Sequence, residues 1–112
     1  MNNVTLVGNL GKDPEYREGS TNVCKFSVAV QDGYGDKKRT DWIPIVCFGK
    51  TADNCNKFLR KGSKVWVVGR IQTGSYEKDG RKIYTTDVIA SQVGFIDTTK
   101  EYTALKDDDI PF

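Results

Sequence analysis

The sequence contains no histidine, and its three cysteines, Cys24, Cys47 and Cys55, include no pair with C-x-x-C spacing. It therefore lacks the usual ligands and spacing of a zinc site. No serine or cysteine has an evident neighbouring base, and no acid pair outside the last residues suggests general acid–base catalysis. We expect a protein that is not an enzyme and that uses no cofactor or metal. The cysteines are expected to be free, buried thiols.

Long apolar runs and targeting signals are also missing. No stretch approaches the length of a membrane-spanning helix, and residues 1–12 lack the basic start and apolar core of an export signal. Gly49-Lys50-Thr51 imitates the end of a phosphate-binding loop, but Pro44 stands where that motif requires a glycine. These absences predict a cytoplasmic protein with no membrane partner, whose cysteines stay reduced.

The charge is nearly balanced in total but uneven along the chain. The 112 residues carry 17 Lys and Arg against 15 Asp and Glu, a net charge of +2. Residues 1–100 hold 16 of the basic and 11 of the acidic side chains, whereas residues 101–112 hold one and four. A basic body with an acidic end predicts two different partners, one of them a polyanion.

Most of the chain has the alternation of β-strands. Strands are predicted over residues 3–10, 23–31, 41–48 and 63–73, followed by a hairpin over 76–93 that turns at Lys78-Asp79-Gly80. Residues 12–22 are predicted to form turns. The one helical pattern spans residues 51–61, and Gly62 is expected to end it. This order predicts a single all-β domain, a five-stranded OB-fold barrel with one short helix between strands 3 and 4, plus a disordered acidic C-terminal tail.

The third predicted strand is apolar on both faces. Its alternating residues form two sets, with Trp42, Pro44, Val46 and Phe48 on one face and Ile43, Ile45 and Cys47 on the other. A small barrel has only one interior, so one face is a candidate binding surface that presents Trp42 and Phe48. Exposed rings stack on unpaired bases of any sequence, at roughly 1–3 kcal/mol per base. Spacing alone leaves an equal alternative, in which both rings belong to the core or to a subunit interface.

Two loops place a tyrosine beside basic residues. Tyr34 precedes a basic run, and Tyr76 precedes a second basic cluster in the predicted hairpin. A groove that follows a nucleic-acid strand needs cations for phosphates and rings for bases. The alternative is two solvated hairpins with ordinary tyrosines. Lys57 fits the solvated face of the helix, and the candidate phosphate contacts are Lys37, Lys38, Arg39, Lys50, Arg60, Lys61, Lys64, Arg70, Arg81 and Lys82.

The acidic end has a sequence of its own. It consists of Asp107, Asp108, Asp109, Ile110, Pro111 and Phe112. Acidic runs usually only solvate a terminus. Here the acids are followed by apolar residues that bury nothing locally, which favours a short linear ligand for a basic, apolar pocket on a partner protein.

Several blocks of this chain, taken in order, resemble bacterial and phage single-stranded DNA-binding proteins. The blocks are residues 3–15 (NVTLVGNLGKDPE), 40–42 (TDW), 46–50 (VCFGK), 58–63 (FLRKGS), 84–86 (YTT) and the acidic end with 110–112 (IPF). The likeness covers nearly the whole chain. It implies an OB-fold domain over residues 1–96 that binds single-stranded DNA, and a flexible tail over 97–112 with an acidic tip that docks proteins.

The resemblance also implies roles for particular residues. Trp42 and Phe48 would stack on bases, and Tyr34 and Tyr76 stand where the family often has tryptophan. It implies a homotetramer that wraps single-stranded DNA without sequence preference, in a bacterial cell or a phage-infected host. Replication, recombination and repair proteins would dock on the tip. The linker before the tip is only about a dozen residues, shorter than is usual in the family, so we expect weaker cooperativity between tetramers.

Three other classes of protein remain as alternatives. An OB-fold interaction module would touch nucleic acid only incidentally and would tolerate loss of Trp42. An RNA-binding OB domain would prefer RNA to DNA of equal sequence, and the acidic tail argues against it. A metal-dependent nuclease would cleave its substrate when a divalent cation is supplied.

Overall fold

The computed structural model describes residues 1–96, and its strands close into a barrel. The elements are β1 (Val4–Leu10), β2 (Glu15–Arg17), β3 (Val23–Asp32), β4 (Arg39–Phe48), α1 (Gly49–Phe58), β5 (Lys64–Lys78) and β6 (Arg81–Ile96). The strand order β1-β5-β6-β4-β3 closes because β1 also pairs with β3. β4 and β6 run parallel, and the other neighbours run antiparallel. The predicted five-stranded OB barrel with one short helix is confirmed. The predicted tail, 97–112, lies outside the described residues.

The segment predicted as turns contains one further short strand, β2. It pairs with the start of β3 and places Tyr16 opposite Cys24. Tyr16 is half-buried and packs against the core, and its hydroxyl donates a hydrogen bond to Asp53 Oδ1 at 2.7 Å. The prediction for residues 12–22 was incomplete because three residues are too few to show an alternating pattern.

The helix is earlier and shorter than its apolar pattern predicts. It ends at Phe58 because Leu59 turns into an extended conformation (φ −92°, ψ 145°) and inserts its side chain, 1% exposed, into the core. The backbone N–H of Leu59 still donates to the Cys55 carbonyl, and the Arg60 guanidinium donates to two further carbonyls of this end. Among residues 1–96, no helix is both long and apolar enough to cross a membrane.

The β5–β6 hairpin turns where the sequence predicts. Lys78 pairs with Arg81, and the two residues between them have positive φ, 54° at Asp79 and 78° at Gly80. This conformation suits a two-residue hairpin turn, and glycine adopts it without steric cost. β5 is continuous from residue 64 to 78, so the predicted fourth strand and the first arm of the hairpin are one strand. Residues 70–82 are all exposed where the hairpin leaves the barrel.

The barrel interior is apolar and includes all three cysteines. In the described part of the chain, every fully buried side chain is apolar, and the cysteines are free. Burial raises the pKa of the Cys24 thiol to about 11, and a hydrogen bond with Cys55 at 3.8 Å, together with burial, raises the pKa of Cys47. Thiols held protonated in this way are poor nucleophiles. The core cluster comprises Leu10, Cys24, Phe26, Val28, Ile45, Cys47, Ala52, Cys55, Leu59, Val65, Val67, Val88 and Ala90.

Candidate nucleic-acid interface

The outer face of β4 exposes two of its aromatic side chains. Trp42 is 57% exposed and Phe48 is 45% exposed, whereas Ile45 and Cys47 on the other face are completely buried. Val46 departs from the expected pattern, because it lies between Lys25 of β3 and Ile89 of β6 and is 8% exposed. The two rings therefore do not belong to the core of this chain. The two residues are six positions apart along an extended strand, which corresponds to roughly 20 Å, so the two rings cannot contact the same base.

A groove of about 520 Å³ runs beside Trp42. It is formed by the connection after β1, the outer face of β3 and the outer face of β4. Its walls include two lysines, Lys12 and Lys25, that the sequence analysis did not select. The alternation of side chains along β3 places Lys25 on the outer face of that strand. Its neighbours on β4 follow only from the β3–β4 register, which the sequence does not give. The lining residues are Gly11, Lys12, Asp13, Glu15, Lys25, Phe26, Ser27, Trp42, Pro44, Ile45, Val46 and Asp87.

The groove contains acids as well as lysines. Asp13, Glu15 and Asp87 share its walls with Lys12 and Lys25. Asp13 already accepts a hydrogen bond from the backbone N–H of Lys61 at 2.8 Å. With two lysines against three acids, the lining has a net formal charge of −1, and its other residues are mostly apolar, which suits a flat ring better than a phosphate. A polyanionic backbone would need additional cations from the surrounding loops.

The β3–β4 connection presents a tyrosine and three cations to solvent. Tyr34 is 91% exposed, and its carbonyl accepts a hydrogen bond from the Lys37 N–H at 2.9 Å in a short 3-10 turn. Lys38 is exposed beside them. Arg39 differs from the two lysines because its Nε lies 2.9 Å from Asp41 Oδ1. This surface ion pair offsets part of the positive charge of the loop.

The β5–β6 hairpin carries tyrosines on both of its faces. Tyr76, 52% exposed, pairs with Ile83, whereas Tyr84, 75% exposed, pairs with Ser75. Side chains alternate between the two faces of a sheet along each strand. With the β4–β6 and β5–β6 registers, this alternation places Tyr76 on the same outer face as Trp42, and Tyr84 on the opposite face. The Lys82 ammonium lies 5.6 Å from the centre of the Tyr84 ring. Tyr76 was predicted from the sequence to bind DNA, and Tyr84 was not.

The remaining candidate cations fall into different places. Lys50 follows Phe48 in the first turn of α1, and Arg70 lies on the face of Tyr76, where it donates to Gln72. Lys61 is next to the wall of the groove through its contact with Asp13. Three others are exposed but lie elsewhere: Arg60 caps α1, Lys64 lies beside Asn9 and Ile96, and Arg81 lies at the hairpin tip. The structure therefore does not gather all ten cations into one surface.

A hydrogen-bond network attaches the segment around β2 to helix α1. Asp53 Oδ1 accepts from the Tyr16 hydroxyl at 2.7 Å and from Asn22 Nδ2 at 2.9 Å. These bonds lower the pKa of Asp53, and the bond to Asp53 raises the pKa of Tyr16 to about 12. The network holds one end of the segment that carries Gly11, Lys12, Asp13 and Glu15.

A second apolar surface lies on the outer face of β1, β5 and β6. Val7, 49% exposed, pairs with Trp66, and Trp66 is half-buried directly opposite Gly94. Val68 continues this face beside Thr5. Within residues 1–96, no group of three or more His, Cys, Asp or Glu is arranged to hold a metal ion.

Comparison with known proteins gives consistent matches. The sequence profile described as the "Single-strand binding protein family" matches residues 1–96. Single-stranded DNA-binding protein 1 of Chlorobaculum tepidum is 39% identical over 102 residues, which cover 83% of this chain and 63% of that protein. The single-stranded DNA-binding protein of Clostridium perfringens is 44% identical over 102 residues, which cover 88% of this chain and 67% of that protein. The chain thus spans about two thirds of the length of these relatives.

A solved structure matches the fold as well. The structure described as "Plasmodium falciparum SSB complex with ssDNA" superposes with a TM-score of 0.80 at 30% sequence identity. The match covers 87% of this chain and 96% of that one. The fold is therefore shared with a protein whose structure is described as a complex with ssDNA.

Proposed function

This chain belongs to the single-strand binding protein family, and from that premise we propose that it binds and protects single-stranded DNA without sequence preference during replication, recombination and repair. Members of this family bind DNA and are not enzymes. The observation that carries the proposal is the exposed ring of Trp42, which is 57% accessible beside a groove of about 520 Å³. Exposed apolar surface at a groove marks a candidate ligand-binding site.

The proposed contacts divide into rings and cations. Trp42, Phe48, Tyr34 and Tyr76 stack on bases, because each ring is at least 45% exposed and every base has a π-face. Lysines and arginines around the groove neutralise phosphates, and we add Lys12 and Lys25 to those selected from the sequence. Neither kind of contact reads a base edge, so the binding is independent of sequence. A coated strand can neither re-pair nor meet a nuclease.

The test is a fluorescence titration with oligo-dT, with the matching duplex, and with RNA of the same sequence. We expect strong tryptophan quenching by the single DNA strand and little by the duplex. The logarithm of the binding constant should fall with the logarithm of salt concentration by about 0.7 for each phosphate neutralised. No quenching and no binding would favour the interaction module, in which the aromatic face is a protein interface. A preference for RNA would favour the RNA-binding class.

The acidic tip, residues 107–112, lies outside the described residues, and its role is part of the proposal. We propose that it docks replication, recombination and repair proteins, and that it competes with DNA for basic side chains when no strand is bound. Deleting residues 107–112 should leave affinity for oligo-dT unchanged or tighter, because net negative charge is removed. Substantially weaker binding of the shortened chain would contradict the competing role.

We also propose that the protein acts as a homotetramer in the cytoplasm of a bacterial cell or a phage-infected host. The surface of Val7, Trp66 and Val68 supports self-association, because these apolar side chains are neighbours on the outer face of β1 and β5. A small domain gains stability by burying such a face. Analytical ultracentrifugation should give four times the mass of one chain. A monomer at micromolar concentration would contradict the assembly without affecting strand binding by one barrel.

A further inference from the structure

Gly11 lies directly beneath the indole ring of Trp42. A methyl group built on Gly11 would overlap Cζ3 of that ring and would lie 2.8 Å from its Cη2 and 3.2 Å from its Cε3. All three atoms belong to the six-membered half of the indole. The three nearest neighbours of this missing side chain are therefore parts of one ring, and the ring occupies the space that a side chain at residue 11 would fill.

The backbone of Gly11 does not itself require glycine. The glycines with positive φ among the described residues are Gly33, Gly35, Gly49, Gly62 and Gly80, and Gly11 is not one of them. Alanine could therefore adopt its backbone conformation without strain. The three atoms nearest to a side chain at this position all belong to the Trp42 ring.

The position of Gly11 is fixed by hydrogen bonds on both sides of the barrel. Its N–H donates to the Ser27 carbonyl of β3 at 3.4 Å. The preceding residue, Leu10, donates to the Ser63 carbonyl and accepts from the Gly62 N–H, each at 2.9 Å. The Trp42 ring therefore rests on a backbone segment that is hydrogen-bonded both to β3 and to the connection before β5.

We propose that Gly11 is a positioning residue for strand binding, whose bare backbone fixes the plane of the Trp42 ring. This inference rests on the proposed function. Gly11 lies against part of the ring, and Trp42 remains 57% exposed beside the groove, so a base stacks on the exposed part of the ring. A ring already held in the bound orientation loses little rotational freedom when a base arrives, and such preorganisation increases affinity.

The first variant is Gly11→Ala, and its matched control is Gly19→Ala in the next connection, between β2 and β3. A methyl group at Gly19 would meet no atom closer than the Thr21 carbonyl oxygen at 3.7 Å. Displacing the ring removes part of a stacking interaction, so Gly11→Ala should weaken oligo-dT binding roughly 5-fold or more. Gly19→Ala should bind like the unchanged protein. Equal affinity of Gly11→Ala and Gly19→Ala would overturn the proposal.

A double-mutant cycle separates positioning from general damage. The phenylalanine ring is shorter and lacks the outer atoms of the indole, so Trp42→Phe leaves room for a methyl group at residue 11. In the Trp42→Phe background, Gly11→Ala should change affinity less than about 2-fold, which gives a large coupling between the two sites. An undiminished loss of affinity in this background would mean that Gly11 acts on something other than the ring, and the proposal would be wrong.

A measurement without DNA distinguishes this inference from the proposed function. The chain has two tryptophans, so in a Trp66→Phe background all indole emission comes from Trp42. There, Gly11→Ala should increase quenching of Trp42 by acrylamide, because the ring leaves its support. Unchanged quenching would overturn the positioning role even if DNA binds. Failure of the unchanged protein to bind oligo-dT would instead refute the proposed function, while the acrylamide result would still report whether Gly11 supports the ring.

Discussion

The two tryptophans of this barrel both lie on glycines, but the two sites differ in what surrounds the ring. Trp66 is opposite Gly94 in the regular register of β5 and β6, and a methyl group on Gly94 would overlap its indole nitrogen. Trp42 rests on Gly11, which lies outside β1. Gly11 precedes Trp42 by 31 positions in the sequence. Trp66 is half-buried, and Trp42 is 57% exposed.

The difference indicates that a tryptophan packed on a glycine has one role in the Trp66–Gly94 pair and another in the Trp42–Gly11 pair. A cross-strand ring that covers a glycine compensates for the side chain that the sheet lacks, and this stabilises the pairing. A ring placed on a glycine at the mouth of a groove stabilises the sheet less and leaves most of its area for a ligand. We therefore expect Trp66 to contribute mainly to stability and assembly, and Trp42 mainly to binding.

The largest expected effects come from removing each ring in turn. Trp66→Ala should lower the free energy of unfolding by about 2 kcal/mol, less than the ~3–5 kcal/mol of a fully buried aromatic, since Trp66 is only half-buried. Trp42→Ala should lower affinity for oligo-dT roughly 5- to 150-fold, which corresponds to the ~1–3 kcal/mol of base stacking found across strand-binding proteins, a class that includes this family. Thermal unfolding, ultracentrifugation and DNA titration of both variants make the comparison.

The opposite pattern would contradict this division. If Trp42→Ala lowered stability as much as Trp66→Ala and left DNA affinity intact, the Trp42 face would be a protein interface. In that case the interaction-module alternative would explain the exposed ring better.

A smaller effect is expected from the cations of the β3–β4 connection. Lys37→Ala should weaken DNA binding and reduce the magnitude of the salt slope by about 0.7, the contribution of one phosphate contact on a single strand. Lys57→Ala is the matched control, because Lys57 is exposed on α1 with its ammonium 5.3 Å from the centre of the Phe58 ring. Equal slopes for the two variants would exclude Lys37 from the DNA path. Titrations at four or more salt concentrations measure the slopes.

The smallest effect concerns pH and the network that holds the groove segment. The pKa of Asp53 is lowered by its hydrogen bonds, so its contribution to stability is present above its ordinary value of 3.8 and is lost as pH falls through the lowered pKa. The pKa of Tyr16 is raised to about 12, so its contribution is present below pH 10 and is lost as pH rises to 12.

Variants separate the two ends of this pH dependence. Tyr16→Phe removes the alkaline loss and one of the two bonds to Asp53. Asn22→Ala removes the other bond, together with the 3.4 Å bond that the Gly19 N–H donates to Asn22 Oδ1. Urea unfolding between pH 2.5 and 11.5 measures the changes. A stability profile of Tyr16→Phe that matches the unchanged protein above pH 10 would show that the hydroxyl does not contribute.

Local patterns predicted most of the fold. The alternation of Cys24, Phe26 and Val28 identified the inner face of β3, and Asp79-Gly80 identified the hairpin turn, because period and turn chemistry act over a few neighbouring residues. The end of α1 was predicted three residues too late, since the burial of Leu59 depends on where the barrel lies below the helix. The strand β2 was missed because its three residues carry no period.

The candidate site could be predicted only in part. The sequence alone determined that β4 has two apolar faces, that tyrosines stand beside cations in two loops, and that the basic body ends in an acidic segment. Only the tertiary structure decided which face of β4 is exposed, that Tyr76 rather than Tyr84 shares it, that Gly11 contacts Trp42, and that Lys25 lines the same groove. The physical reason is that these neighbours lie on different strands, and strand register and barrel closure, rather than spacing along the chain, bring them together.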